Sequence, residues 1–154
     1  FSAASELQNM VNEWYKSGTE CIFSCGGEMC DSVFEAALAN NGKSIGVDVD
    51  QSSVSDTVIT SAMKGLSSGV QKILTSFYAG KWVLVGGLSS NLGVDDNAVG
   101  LPFATSKFEK FTEGEYVKLV NSMKSGGTLE VKNDFSAFLA GGETFENVAV
   151  SFVK

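Results

Sequence analysis

The chain has 154 residues, 44% hydrophobic and 19% charged with a single proline, which excludes a disordered tail, a collagen-like fibre and a disulfide-framework miniprotein and leaves one globular domain. Its eleven basic residues are all lysine and face eighteen acids, so a net charge of -7 repels phosphodiester backbones and anionic membranes, and nucleic acid is not an expected partner. Histidine and arginine are both absent, which removes the usual general base, the commonest metal ligand and the bidentate phosphate clamp.

Leu7, Met10, Val11 and Trp14 recur at helical spacing and predict a helix over residues 4–17, stopped by Gly18. Cys21-Ile22-Phe23-Ser24 is an apolar run of strand length. The pair Gly26-Gly27 then turns the chain into a helix carrying Val33, Phe34, Ala37 and Leu38, closed by Asn41-Gly42. Ser44-Ile45-Gly46-Val47 repeats a buried strand, and the β-branched run Thr57-Val58-Ile59-Thr60-Ser61 suits another. Leu66, Val70, Ile73, Leu74 and Phe77 mark a third helix ended by Gly80, after which Trp82-Val83-Leu84-Val85 reads as a further strand. Trp14 and Trp82 fall on apolar faces and are expected in the core.

Further on, Tyr116, Val117, Leu119, Val120 and Met123 suggest one more helix. Leu129-Glu130-Val131 and residues 148–153 read as terminal strands separated by a Gly141-Gly142 turn. Strands alternating with helices of roughly ten to fifteen residues imply right-handed crossovers: an α/β fold with an open, mostly parallel sheet and helices on both faces. Residues 1–90 are expected to form the core of the fold, and residues 91–154 a crossover or closing segment. No stretch of about 18 apolar residues predicts a membrane span.

Cys21, Cys25 and Cys30 are odd in number, without histidine or C-x-x-C spacing, so no metal site and no cofactor is expected. On one strand Cys21 and Cys25 would stand about 13 Å apart, beyond the roughly 7 Å limit for a bridge, and read as small buried thiols. A Cys25 to Cys30 bridge across the following loop stays open.

In an open parallel sheet, loops and helix amino termini converge beyond the carboxyl ends of the strands, and ligands bind there. Those ends deliver Gly26-Gly27, then Asp48, then Lys64. The glycine pair ahead of a helix leaves backbone N–H groups free for an anion or a hydroxyl, or is simply a tight turn. Asp48 follows a buried strand, and its two oxygens suit the two hydroxyls of a vicinal diol. Asp50 and Gln51 either join it or build an Asx-type turn or cap. Lys64 brings three donors to the same edge, or is a solvated lysine. Without histidine no Ser-His-Asp relay assembles, and a Ser-Lys pair would need a strongly desolvated Lys64, so no catalytic residue is assigned. An enzyme with Asp48 as base and Lys64 as Schiff-base amine is the alternative from another class.

The blocks Ile22-Phe23-Ser24-Cys25-Gly26-Gly27, Val33-Phe34-Glu35-Ala36-Ala37, Ile45-Gly46-Val47-Asp48-Val49-Asp50-Gln51 and Val58-Ile59-Thr60-Ser61-Ala62-Met63-Lys64 resemble the basic membrane protein family. These are substrate-binding lipoproteins that serve ABC transporters and include purine nucleoside receptors. The similarity runs from about residue 1 to residue 131. It implies one lobe, the carboxyl-side one, of a type I periplasmic-binding-protein fold, whose amino-terminal lobe lies outside this chain. It also implies a nucleoside or related polar solute such as a sugar held between lobes, an ABC permease as partner, and an extracytoplasmic, membrane-anchored lipoprotein as the full-length form. Carried onto this sequence, the resemblance gives Gly26 and Gly27 ligand contacts, Asp48 the ribose hydroxyls, Lys64 a completing polar contact and Phe1 a stack on the base. The sequence departs from the family in the loop after the glycine pair, which reads Glu28-Met29-Cys30-Asp31 in place of a small, Gly-rich segment.

Overall fold

A computed structural model describes residues 2–126. Helix α1 (Ser5–Lys16) leads into β1 (Cys21–Phe23), α2 (Met29–Ala39), β2 (Lys43–Asp48), β3 (Val58–Lys64) and α3 (Leu66–Tyr78). Short 3-10 turns at Trp82–Leu84 and Val94–Asp96 precede β4 (Val99–Gly100) and α4 (Glu113–Lys124). The sheet runs β1-β2-β3-β4, parallel across the first three strands and antiparallel at β4. The α/β fold with an open, mostly parallel sheet is therefore as the alternation of apolar runs predicts.

Two apolar clusters position the sheet. Val11 and Tyr15 of α1 pack with Val33, Ala36 and Ala37 of α2, and Leu7 and Ile22 close the cluster. The small Ala36 and Ala37, both fully buried, let the two helices approach. Tyr15 anchors the far end: its hydroxyl donates to the Lys43 carbonyl at 2.6 Å, and its ring covers Gly42 so closely that a Cβ there would overlap it. Cys30, Phe34 and Val58 form the second cluster, between α2 and the start of β3.

Between β2 and β3 the buried contacts are polar. Ser44 Oγ meets Thr57 Oγ1 at 3.0 Å. The register shifts there, pairing Ser44 with Val58 but Ile45 with Thr60, so Ile59 bulges from the ladder. Its carbonyl instead accepts the Lys107 N–H at 2.7 Å, and Thr60 Oγ1 meets Ser106 Oγ at 2.8 Å. This clasps the 102–108 segment onto β3. Phe103, Phe108, Phe111 and Tyr116 then gather at centroid distances of 5.4 to 6.0 Å, and Thr112 with Glu115 forms a reciprocal capping box at the start of α4.

Two expectations are corrected. Trp82-Val83-Leu84-Val85 is not a strand: β4 occupies the edge of β3, and the run satisfies its backbone locally, Leu84 N–H to Lys81 O and Val85 N–H to Trp82 O, both at 3.0 Å. Trp14 and Trp82 are not core residues, being 37% and 50% exposed. Trp82 instead sets its ring edge-on to Phe77 at 5.7 Å. The apolar stripe of α3 is present as predicted, yet none of its residues is buried. The expected strands at 129–131 and 148–153 lie outside the described residues. Among the described residues no helix is long and apolar enough to cross a membrane.

Candidate functional site

Parallel pairing decides what shares a rim. Phe23 at the end of β1 pairs with Ile45, and Asp48 at the end of β2 pairs with Met63, so Lys64 stands one residue further on the neighbouring tip. Gly26-Gly27, Asp48 and Lys64 thus follow or end three adjacent strands that point the same way. Phe1 lies outside the described residues.

The glycine turn begins three residues after the end of β1. Gly27 takes φ +59°, which favours glycine, and Met29 and Cys30 return their N–H groups to Gly26 O and Gly27 O at 3.3 and 3.1 Å. The N–H groups of Gly26, Gly27 and Glu28 find no acceptor among the described residues. These donors sit at the amino terminus of α2, where the helix field favours an oxygen-rich ligand. A Cβ at Gly26 would lie 2.9 Å from Met29 Sδ.

Asp48 sits at the centre of a γ-turn: Val49 N–H donates to Val47 O at 2.8 Å, and Asp48 takes φ +67°. That conformation is rare for a residue with a side chain, though aspartate tolerates it better than most. Asp48 is exposed, and neither its side chain nor that of Lys64 has a hydrogen-bond or ion-pair partner among the described residues. Asp50 differs. Its carboxylate accepts the Thr105 hydroxyl at 2.7 Å and the Ser52 N–H at 3.0 Å, and these bonds, Thr105 first, hold its carboxyl below the usual carboxylate range. Asp50 therefore makes the Asx-type turn, and Asp48 is left as the uncommitted carboxylate.

Gln51 is also committed. Its Oε1 accepts the Val47 N–H at 2.8 Å, its own N–H donates to Ser61 Oγ at 3.0 Å, and its Nε2 donates to Cys30 Sγ at 3.2 Å. Gly46 is compact because it must be: a Cβ there would lie 2.6 Å from Ser61 Oγ and 2.7 Å from Gln51 Oε1. Sequence reasoning allowed Gln51 a turn or cap but did not find this link to Cys30, because the partner lies 21 residues away and no local pattern marks it.

Lys64 is exposed at the tip of β3 and borders an open, largely apolar groove of about 690 Å³ that runs along Leu66, Val70, Ile73 and Leu74 of α3 to Leu88 and Val99. All three cysteines are free. Cys30 is buried and Cys21 partly so, but Cys25 is exposed, against the expectation of a buried thiol there. Burial pushes the Cys21 thiol up, opposed by the nearby Lys43 ammonium. Among the described residues no three Cys, Asp or Glu side chains gather as metal ligands.

Residues 1–132 match the family described as Bmp, ABC transporter substrate-binding protein PnrA-like. Basic membrane protein D of Borreliella burgdorferi is 31% identical over 124 residues, which cover 77% of this chain and 36% of that protein. The crystal structure of a transcriptional activator of the comK gene from Bacillus halodurans has a TM-score of 0.58 at 20% identity, over 80% of this chain and 42% of that one, a likeness of fold alone. The chain spans about a third of the length of the curated relative it matches and under half of the solved structure.

Proposed function

Because the chain belongs to the Bmp family of PnrA-like ABC transporter substrate-binding proteins, we propose that it is one lobe of an extracytoplasmic receptor that closes on a purine nucleoside and presents it to a permease. The observation that carries this reading is the pair of uncommitted, oppositely charged side chains, Asp48 and Lys64, on neighbouring parallel tips beside a turn with free N–H groups.

On this reading Asp48 accepts both ribose hydroxyls, one on each oxygen, while the N–H groups of Gly26 and Gly27 and the Lys64 ammonium donate to the remaining ligand oxygens and nitrogens. Phe1 stacks on the base, worth about 1 to 3 kcal/mol by the scale of base–aromatic contacts. The ligand bridges this lobe and a second, amino-side lobe, so binding stabilises a closed state that the permease recognises. Residues 1–90 supply the binding core of the lobe and residues 91–154 the crossover and closing segment. The full-length protein is a lipoprotein held at the membrane by its anchor.

No bond is made or broken in this scheme. A Schiff-base lysine needs desolvation to lower its proton affinity, whereas Lys64 is exposed at the strand tip, which favours binding over catalysis.

Titration calorimetry of the two-lobe receptor carrying this chain tests the proposal. Adenosine, inosine or guanosine should bind, free ribose should not compete, and Asp48→Asn should remove at least about 2 kcal/mol, the scale of charge-assisted hydrogen bonds. Unchanged affinity in that variant, or binding of ribose alone, sinks the assignment.

A further inference from the structure

The tip of β2 has a backbone group that the sheet cannot satisfy. In a parallel ladder alternate residues face alternate neighbours, and Ile45 faces β1, its carbonyl accepting the Ser24 N–H at 3.3 Å. Val47 faces the same side two residues later, where β1 has already ended at Phe23 and the chain has turned away into the glycine pair. The Gln51 side chain occupies the vacated place: Oε1 takes the Val47 N–H at 2.8 Å, as a continuing strand would have done.

From that position the amide reaches three parts of the rim. Val47 is the first residue of the γ-turn that sets Asp48 at φ +67°. Through Nε2 the same amide bonds Cys30 Sγ, in the first turn of α2 and three residues beyond Gly27, and through its main-chain N–H Gln51 bonds Ser61, three residues before Lys64. Gly46 leaves the room for this arrangement, since a Cβ would strike both Ser61 Oγ and Gln51 Oε1.

We propose that Gln51 is the positioning residue of the site: its amide fixes the strained turn that presents the Asp48 carboxylate and holds that tip in register with the glycine turn. The statement about ligand rests on the nucleoside reading above, whereas the statement about Asp48 geometry does not. Gln51 touches no ligand itself. A carboxylate meant to receive a diol loses most of its advantage when its backbone wanders between conformers, because the ordering cost then falls on binding.

The experiment has two arms. In the ligand-free chain, the three-bond amide to α-proton coupling and the secondary shifts of Asp48 are measured by NMR for wild type, Gln51→Ala and Gln51→Glu. Gln51→Glu keeps an oxygen for Val47 N–H and is expected to keep the left-handed signature of Asp48, whereas Gln51→Ala is expected to lose it. In the two-lobe receptor, guanosine affinity should fall about tenfold for Gln51→Ala, the scale of one hydrogen bond. It should stay within about threefold of wild type for Gln51→Glu. In an Asp48→Asn background Gln51→Ala should add less than about twofold, because residues acting as one unit are not additive.

An unchanged Asp48 signature in Gln51→Ala overturns the inference, as does an equal loss of affinity in both backgrounds or a Gln51→Glu variant that behaves like Gln51→Ala. Failure of wild type to bind any purine nucleoside would instead strike the nucleoside reading, and the NMR arm would still decide the role of Gln51.

Discussion

Asp48 and Lys64 end neighbouring parallel strands one residue out of step, and no ion pair joins them. Both charges are exposed and have no ion-pair partner among the described residues, so their contribution to folding is small. Asp48→Asn and Lys64→Met are therefore expected to shift the unfolding free energy by no more than about 0.5 kcal/mol. Asparagine is the informative replacement because it tolerates φ +67°, whereas Asp48→Ala would add about 1 kcal/mol of backbone strain and confuse the two effects. Urea titration of both variants checks this. A loss above about 1.5 kcal/mol would show that the rim charges hold the fold together.

Gly46 is expected to be intolerant of any side chain. With Ser61 Oγ and Gln51 Oε1 both within 2.7 Å of where a methyl would sit, Gly46→Ala should cost about 1 to 3 kcal/mol, the range for overpacking. On the nucleoside proposal the same variant should also disturb guanosine binding, since the displaced groups hold the β2 tip. Denaturation midpoints and calorimetry on one preparation would separate the two effects, and a stable Gly46→Ala would mean that the pocket around Gln51 is looser than the geometry requires.

Tyr15 makes stability pH-dependent at the alkaline end. Burial, helped by the neighbouring Cys21 thiol, pushes its hydroxyl up from 10.0 to about 12. The folded state therefore keeps a proton that the unfolded state releases, so the stabilisation is complete below pH 10 and is lost as pH rises towards about 12. Tyr15→Phe cannot titrate. It should be about 1 kcal/mol less stable at pH 7 for want of the bond to Lys43 O, and the gap from wild type should narrow above pH 10. Urea midpoints of both proteins across that window test the sign, and a gap that widens with pH would refute it.

The three thiols should separate by reactivity. Cys25 is exposed and should react first with a disulfide reagent at pH 8. Cys21, partly buried with its thiol pushed up, should follow slowly, and buried Cys30 should react only on unfolding. Because Cys25 precedes Gly26, the nucleoside proposal predicts that guanosine slows its labelling in the two-lobe receptor. Mass spectrometry of timed samples would report the order, and early labelling of Cys30 would contradict its packing against Phe34 and Val58.

The rim was readable because each of its parts is local. An apolar run followed by two glycines, a buried strand ending in Asp48 and a β-branched run ending in Lys64 each say where a strand stops, and parallel pairing does the rest. What escaped the sequence depended on distant partners. The packed stripe of α1 is the partly buried Leu7 with buried Val11 and Tyr15, spaced by four, which drifts around the helix and leaves Trp14 outside the contact with α2. Trp82-Val83-Leu84-Val85 has strand composition, but β4 holds the edge of β3. Gln51 reads as a turn residue because its partners, Cys30 and Ser61, are 21 and 10 residues away.

Of the largest fully buried side chains among the described residues, two are valines and two are serines, Ser44 and Ser61. Opening such an interior hydrates hydroxyls as well as hydrocarbon, and these act oppositely on heat capacity. The increment on unfolding is thus expected to fall below the usual range of about 12 to 15 cal/mol/K per residue, flattening the temperature dependence of stability so that chilling weakens the fold little. Scanning calorimetry at several pH values would measure it, and a normal increment would mean that hydrocarbon dominates the interior after all.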